Sequence, residues 1–326
     1  MNISLQNEQT SHPKLKTKIR SSISKEYQDT KEIIMKYKIC TVCEEARCPN
    51  IGECWHNKTA TFMLLGNVCT RHCRFCAVEH GTPDKKDWLF QKNEVEKLVE
   101  AIKLLQLKYV VLTSVTRDDY VDGGAAIFAY AVSLLKANNL KIEILTPDFR
   151  EDFKEDFRDG GIKRDENRNV NGIRKAIVQF MNGNGESVPD VFAHNIETVR
   201  SITPLVRDQR ASYDTSLELL KNFKMVAFSY GFKVYTKSGL MLGMGESEEE
   251  IYQAFADLRN ANVDFLTIGQ YLSPSKNAYP VKEYVSQKKF EKLRNRALSS
   301  EFAFRSVVAG PLVRSSYMAH KMIMES

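Results

Sequence analysis

The sequence predicts an α/β fold, a partial parallel (βα)6 barrel of the TIM type with an N-terminal extension and a short C-terminal extension. The chain has 326 residues, of which 43% are apolar, and this allows one large domain with appendages. Six short runs rich in β-branched residues alternate with longer helical patterns. The predicted strands are residues 61–66, 109–114, 141–146, 191–195, 233–242 and 264–271.

The helices follow from apolar residues at helical spacing between these strands. After the first strand, this spacing is set by Val95, Leu98, Val99, Ile102 and Leu105. Further helices are predicted near 124–137, 212–223, 247–261 and 286–299. Each therefore follows a strand, as a parallel barrel requires.

One segment departs from this pattern, because residues 150–187 mix charge runs with five glycines. We predict a mobile surface insertion there, with a short helix at 172–181. The expected organisation is an N-terminal arm over 1–58, a barrel over 59–300 that contains the insertion, and a C-terminal segment over 301–326.

Charge and hydropathy exclude several classes of protein. The net charge is +6, and residues 1–39 hold eight Lys or Arg against four Asp or Glu. A basic arm of this kind is more often a solvated segment than a nucleic-acid site. The sequence has no apolar run of about 18 residues and no secretory signal, so we expect a cytoplasmic protein that binds neither membrane nor nucleic acid.

The cysteines are the strongest compositional signal. All seven lie within one short part of the chain, at Cys40, Cys43, Cys48, Cys54, Cys69, Cys73 and Cys76. A disulfide framework is typical of small secreted domains, whereas this chain is long and lacks an export signal. Metal or cluster ligation is therefore favoured.

Three of these cysteines, Cys69, Cys73 and Cys76, follow the first predicted strand, and we call them the loop triplet. Barrel enzymes carry their chemistry at this end of the strands. Three thiolates on a 4Fe–4S cluster leave one iron open for a substrate or cosubstrate. Zinc, with His72 or His80 as a fourth ligand, is the alternative that spacing leaves open.

The loop triplet resembles the signature of the radical S-adenosylmethionine superfamily. The matching run is Cys69-Thr-Arg-His-Cys73-Arg-Phe75-Cys76, with an aromatic residue before the last cysteine. The resemblance implies that the open iron chelates S-adenosylmethionine, and that an electron from the cluster releases a 5′-deoxyadenosyl radical. It also implies the partial (βα)6 barrel of that superfamily.

A second set, the N-terminal triplet of Cys43, Cys48 and Cys54, lies in a stretch similar to the lipoyl synthase family. The similarity runs from residue 41 to 319 apart from the insertion, through Thr113-Ser-Val-Thr-Arg-Asp-Asp119, Pro189-Asp-Val-Phe-Ala-His-Asn-Ile-Glu197, Lys237-Ser-Gly-Leu-Met-Leu-Gly-Met-Gly-Glu246, Gly269-Gln-Tyr271 and Arg314-Ser-Ser-Tyr317. It implies a second 4Fe–4S cluster on this triplet and Ser316. Spacing alone does not separate Ser315 from Ser316, and both read equally well as capping or turn residues.

The same resemblance implies the reaction and its partners. The auxiliary cluster gives its sulfides to carbons 6 and 8 of an octanoyl chain on a carrier, either the acyltransferase subunit of a 2-oxoacid dehydrogenase or the glycine cleavage H protein. A ferredoxin or flavodoxin is the implied low-potential electron donor. Two other readings are a radical enzyme that adds sulfur to a free small molecule, and a zinc-binding nucleic-acid module.

Candidate contacts for S-adenosylmethionine lie in the predicted loops. Gly123 and Gly124 allow close backbone approach after the second strand, although a simple turn explains them nearly as well. Polar contacts in the barrel mouth are expected from Asn195, Glu197 and Arg210.

Three features depart from the lipoyl synthase pattern. Cys40 belongs to neither triplet and reads as a spare thiol. Thr116 stands where the family commonly has Asp or Asn, and residues 275–280 replace a loop that is rich in Arg and His. These differences bear on substrate contacts and not on the cluster ligands.

Overall fold

The structure is a computed structural model that describes residues 24–324, except 58, 85, 108, 150–165 and 182–183. Three helices come first: α1 (Lys25–Tyr37), α2 (Val42–Glu45) and α3 (Ile51–His56). The first barrel strand is β1 (Thr61–Leu64), and a small parallel ladder follows, formed by β2 (Val68–Cys69) and β3 (Glu79–His80).

Strands and helices then alternate along the chain. They are α4 (Trp88–Leu105), β4 (Tyr109–Ser114), α5 (Ala125–Lys136), β5 (Lys141–Leu145), α6 (Glu166–Met181), β6 (Val191–Ala193), α7 (Thr203–Val206), α8 (Tyr213–Ser229), β7 (Tyr235–Leu242), α9 (Glu248–Asn260), β8 (Phe265–Gln270), α10 (Gln287–Leu298), β9 (Ser306–Gly310) and α11 (Ala319–Met324). Serine side chains cap α8, α9 and α10, which fixes where each of these helices begins.

The main sheet is parallel throughout, in the order β1-β4-β5-β6-β7-β8-β9. All six predicted strands are present in it, so the α/β partial barrel is confirmed. Every residue of β8 is buried, which is typical of strands covered on both faces. Within the described residues, β1 and β9 are the two edges of the sheet, and the barrel is open between them.

The seventh strand, β9, was not predicted. It pairs with β8 from Phe265–Ser306 to Gly269–Gly310, and so extends the barrel past the predicted boundary at residue 300. Its run is short, with only Val307 and Val308 as β-branched residues, and the sequence pattern alone did not separate it from a terminal segment.

The helix α6 corrects the prediction of a surface insertion over 150–187. This helix connects β5 to β6, and its residues Ile173, Ala176, Ile177 and Phe180 are buried in the main core. The Phe180 ring packs edge-on against Phe223 of α8, with centroids 5.5 Å apart. The insertion prediction is therefore wrong for this helix, while residues 150–165 lie outside the described part of the chain.

Replacement of Phe180 by Ala tests this assignment. Because the ring is fully buried, the variant should lose about 3–5 kcal/mol of unfolding free energy. The matched control is Val178→Ala on the exposed side of α6, which should change stability by at most about 0.5 kcal/mol. Urea denaturation of both variants measures the difference, and equal stabilities would show that α6 does not belong to the core.

A buried ion pair joins two strands inside the barrel. Lys237 of β7 donates from Nζ to both carboxylate oxygens of Glu143 on β5, at 2.8 and 3.1 Å. The Tyr109 hydroxyl donates to the same carboxylate at 2.7 Å. Both charged side chains are at most 2% exposed, so each depends on the other for its counter-charge.

Removing one partner of this pair should be costly. The Lys237→Met variant leaves Glu143 buried without its cation, and we expect a loss of about 3–5 kcal/mol in unfolding free energy. The double variant with Glu143→Gln should recover part of this loss because no charge is then left unpaired. Denaturation of the single and double variants gives the coupling energy, and additive losses would contradict the interaction.

The open side of the barrel is covered by both ends of the described chain. The Met63 N–H of β1 donates to the carbonyl oxygen of Cys40 at 2.9 Å, so the N-terminal segment lies along the free edge of that strand. Asn50 Nδ2 donates to the carbonyl oxygen of Leu312, beyond β9, at 2.6 Å. In the described part of the chain, no helix is long and apolar enough to cross a membrane.

Candidate active site

The loop triplet follows the first barrel strand, β1, in the chain. Cys69 is the last residue of β2, and the pairing of Cys69 with His80 of β3 closes the loop that carries Cys73 and Cys76. The charges of Cys69 and Cys73 act on Cys76, and that of Cys69 acts on Cys73. The three thiols therefore lie near one another.

Burial makes Cys73 and Cys76 poor acids until they bind a cation. It raises the pKa of Cys73 to about 11 and that of Cys76 to about 12. Against this, the backbone N–H of Asp208 donates to Cys73 Sγ at 3.3 Å, and that of Arg71 donates to Cys69 Sγ at 3.4 Å. Such a set of buried thiols with donors aimed at sulfur fits iron ligation, which holds thiolates deprotonated.

A buried arginine fixes the loop triplet to the barrel. Arg71 is 4% exposed and donates from Nε and Nη2 to Asp118, at 3.0 and 2.7 Å, and from Nη1 to Asp148 at 2.7 Å. These two carboxylates follow β4 and β5 in the chain. Sequence reasoning missed this role of Arg71, although acidic residues after successive barrel strands were a usable signal.

The predicted contact Arg210 also belongs to this support. Its guanidinium donates to Asp208 from Nε at 2.8 Å and to the carbonyl oxygen of Thr70 at 2.6 Å, and it lies 3.2 Å from Asp118. Asp208 in turn accepts the backbone N–H of His72 at 2.9 Å. The arginine is thus occupied in holding the cysteine loop.

The N-terminal triplet forms a second site at the opening of the barrel. Cys43 lies in α2, Cys48 in the following turn and Cys54 in α3, and the three line one small cavity together with Ser316 and Arg314. Burial and the neighbouring thiols raise the pKa of Cys54 to about 12, and burial also raises the pKa values of Cys43 and Cys48. This donor set likewise fits an iron–sulfur cluster.

The two serines of the Arg-Ser-Ser-Tyr run point to different places. Ser316 Oγ accepts a hydrogen bond from the Thr61 hydroxyl at 2.7 Å and lines the cavity of the N-terminal triplet. Ser315 Oγ instead accepts from Asn195 Nδ2 at 2.7 Å. The geometry therefore favours Ser316 as the oxygen nearest to the N-terminal triplet, which spacing alone left open.

The zinc alternative requires four ligands around one point. The rings of His72 and His80 are 5.1 Å apart beside the loop triplet. Across residues 24–324, with the gaps given above, no three His, Cys, Asp or Glu side chains come together around a single ion.

The chain is similar to known proteins over most of its length. A family model described as the Radical SAM superfamily matches residues 63–258. A lipoyl synthase of Flavobacterium johnsoniae is 43% identical over 309 residues, covering 94% of each chain. One from Pyrobaculum aerophilum is 46% identical over 91% of each chain. A mitochondrial lipoyl synthase of Nematostella vectensis is 44% identical over 94% of this chain and 93% of its own.

The chain belongs to the lipoyl synthase family. As a lipoyl synthase it is a radical S-adenosylmethionine sulfurtransferase, and the superfamily to which it belongs uses a 4Fe–4S cluster with S-adenosylmethionine. Among solved structures, the [FeFe]-hydrogenase maturase HydG has the same fold, with a TM-score of 0.51 at 14% identity over 92% of this chain and 66% of its own. SuiB of Streptococcus suis gives 0.52 at 12% identity, over 87% and 52%.

Glu197 lies beside the loop triplet, and the Asn195 side chain hydrogen-bonds to it. The carboxylate of Glu197 raises the pKa values of Cys73 and Cys76, so it is close to both thiols. Burial raises the pKa of Glu197 itself, while Arg207 and Asn195 favour its charged form. Glu197 also has a left-handed backbone (φ 69°), which is uncommon for a non-glycine residue and typical of functional sites.

The two predicted glycines have a structural explanation. Both have positive φ, 59° at Gly123 and 92° at Gly124. A Cβ on Gly124 would lie 2.2 Å from Leu65 Cδ1, and one on Gly123 would lie 3.0 Å from the Phe149 backbone. The turn into α5 therefore requires glycine for packing, and the contact of its backbone with S-adenosylmethionine stays a prediction.

Two of the departures from the lipoyl synthase pattern contact the loop that carries the loop triplet, and neither contact involves a cysteine side chain. Thr116 uses its carbonyl oxygen, which accepts the Thr70 N–H at 3.1 Å, so this support for the cysteine loop does not depend on its side chain. In the 275–280 loop, the Tyr279 N–H donates to the carbonyl oxygen of Arg74 at 2.9 Å. Cys40 is outside both triplets, and burial and nearby glutamates raise its pKa.

Proposed function

We propose that this chain inserts two sulfur atoms, at carbons 6 and 8, into an octanoyl group carried on a lysine of a protein, and so forms the lipoyl group. The observation that carries the proposal is the presence of two separate thiol triplets on one barrel, together with the Ser316 oxygen in the cavity of the N-terminal triplet. This arrangement supports two 4Fe–4S clusters with different ligand sets.

The residues divide between the two clusters. Cys69, Cys73 and Cys76 would hold the first cluster and leave one iron free. Cys43, Cys48, Cys54 and Ser316 would hold the second. When bound, the first cluster supplies the electron that cleaves S-adenosylmethionine to a 5′-deoxyadenosyl radical, and the second supplies the sulfur.

The other residues bind and orient. We assign Asn195 and Glu197 to the polar part of S-adenosylmethionine, because Glu197 lies beside the loop triplet, Asn195 hydrogen-bonds to Glu197, and both side chains are only half buried. The Gly123–Gly124 backbone would complete this contact. Arg210 does not join it, since its donors are used on Asp208 and Thr70. Its proposed part is to hold the cysteine loop in place.

The domain organisation follows from these roles. We propose an arm over 1–58 that carries the N-terminal triplet, a barrel from residue 59 through β9, and a C-terminal segment after Gly310 that carries Ser316. The proposed protein substrate is the octanoylated acyltransferase subunit of a 2-oxoacid dehydrogenase or the octanoylated glycine cleavage H protein. A ferredoxin or flavodoxin would supply the electrons.

Two measurements test this function. Anaerobically reconstituted protein should contain about eight irons and eight sulfides per chain. With S-adenosylmethionine and a strong reductant, it should convert an octanoylated H protein to the lipoylated form, as seen by intact-mass spectrometry. Conversion of free octanoate, with none of the octanoylated protein, would instead support the sulfur-inserting enzyme that acts on a small molecule.

A further inference from the structure

Arg314 is a half-buried cation without a carboxylate partner in the described part of the chain. Its Nη1 donates only to carbonyl oxygens, those of Val313 at 2.8 Å and Gln270 at 3.3 Å. Burial removes water from the guanidinium and so lowers the pKa of Arg314. The negative charge of a Cys48 thiolate has the opposite effect and raises it. The side chain also lines the cavity of the N-terminal triplet.

The two most buried arginines of the described chain are held differently. Arg71 and Arg117 are 4% and 2% exposed, and each forms short ion pairs with carboxylates. A desolvated guanidinium without an anion is unfavourable, so a protein keeps one only where negative charge is supplied in another way. At Arg314, the available negative charge is that of the three ligand thiolates and the group they bind.

The neighbouring strand keeps Arg314 in this position. A Cβ on Gly269 of β8 would lie 2.2 Å from the carbonyl oxygen of Val313 and 3.6 Å from Arg314 Nη1. Because Gly269 has no side chain, the turn after β9 can pack directly against β8. The Gly269-Gln-Tyr run and the Arg314-Ser-Ser-Tyr run are therefore one structural unit.

We infer that Arg314 is a positioning residue for the auxiliary cluster, and that its charge offsets the thiolates of the N-terminal triplet and raises the reduction potential of the cluster they bind. This inference rests on the proposed function, because it needs a cluster at that triplet. A nearby cation stabilises the reduced cluster, which carries one more negative charge, more than the oxidised one. The same attraction favours retention of the cluster.

The test isolates the auxiliary cluster. In a full-length background with Cys69, Cys73 and Cys76 all replaced by Ala, the auxiliary cluster is the one that remains. Into this background we would introduce Arg314→Gln, which removes the charge, and Arg314→Lys, which keeps it. Arg305→Gln is the matched control, because this exposed arginine pairs with Asp264 and does not line the cavity. Reductive titration followed by electron paramagnetic resonance gives the potential, and iron analysis gives retention.

Arg314→Gln should lower the reduction potential and weaken cluster retention by about ten- to a hundredfold, while Arg314→Lys and Arg305→Gln stay close to the parent protein. Complete loss of the cluster in Arg314→Gln, with retention in Arg314→Lys, also supports the inference. An unchanged potential in Arg314→Gln overturns it, as does equal loss of the cluster in Gln and Lys variants. If the parent background binds no cluster, the second-cluster assignment itself fails.

Discussion

The Cys73→Ala variant is expected to form no measurable 5′-deoxyadenosine, a loss of at least about a hundredfold in the cleavage of S-adenosylmethionine. Cys73 is the central member of the loop triplet, and its sulfur accepts the Asp208 N–H from the supporting loop. With two thiolates left, the cluster would expose a second iron and lose its fixed orientation. Chromatographic detection of 5′-deoxyadenosine in anaerobic assays measures the effect.

Cys40→Ala is the matched control for this prediction. It removes a half-buried thiol from the same cysteine-rich region, yet Cys40 lies in neither triplet. Its rate should equal that of the parent protein. Normal 5′-deoxyadenosine formation by Cys73→Ala would remove the loop triplet from the radical chemistry.

Replacement of Cys43, Cys48 or Cys54 by Ala should separate the two halves of the reaction. Each variant keeps the loop triplet intact, so reductive cleavage of S-adenosylmethionine should continue, while lipoyl formation should fall to background. Ser316→Ala removes only an oxygen ligand, and we expect a milder loss of about tenfold. Parallel assays for 5′-deoxyadenosine and for lipoylated carrier show the separation.

Ser315→Ala provides the comparison for Ser316. It removes the acceptor of the Asn195 hydrogen bond but no predicted cluster ligand, so its iron content should stay at the parent level. If any of the three cysteine variants makes lipoyl groups at the normal rate, the N-terminal triplet does not hold the sulfur source. A Ser315 variant that loses iron while Ser316→Ala keeps it would reverse the assignment of the two serines.

Local signals were enough to predict the barrel and to single out the two cysteine triplets. The periodicity of a strand or a helix is a local property of the sequence. Three cysteines within one loop can likewise be recognised without knowing the tertiary structure. The helix α6 also had such a signal, because Ile173, Ile177 and Phe180 have helical spacing. The charges and glycines on either side of it obscured that pattern.

Contacts between distant parts of the chain were beyond local patterns. Arg71 hydrogen-bonds to Asp148, which is 77 positions away in the sequence, and Thr61 hydrogen-bonds to Ser316, which is 255 positions away. Neither separation has a periodicity that a sequence can reveal, since the contact depends on strands that come together in the sheet. For the same reason Arg210 could be predicted near the barrel mouth, but its use in holding the cysteine loop could not.

Closure of the barrel opening by both ends of the described chain sets an order in which the two proposed cluster sites can be completed during translation. Asn50 and Leu312 are 262 positions apart, so at roughly 5–20 residues per second the first waits some tens of seconds for the second. During that interval the N-terminal thiols exist without Ser316 or Arg314, exposed to oxidants and to stray metal ions. The complete proposed ligand set of the second cluster therefore exists only after translation has passed Ser316.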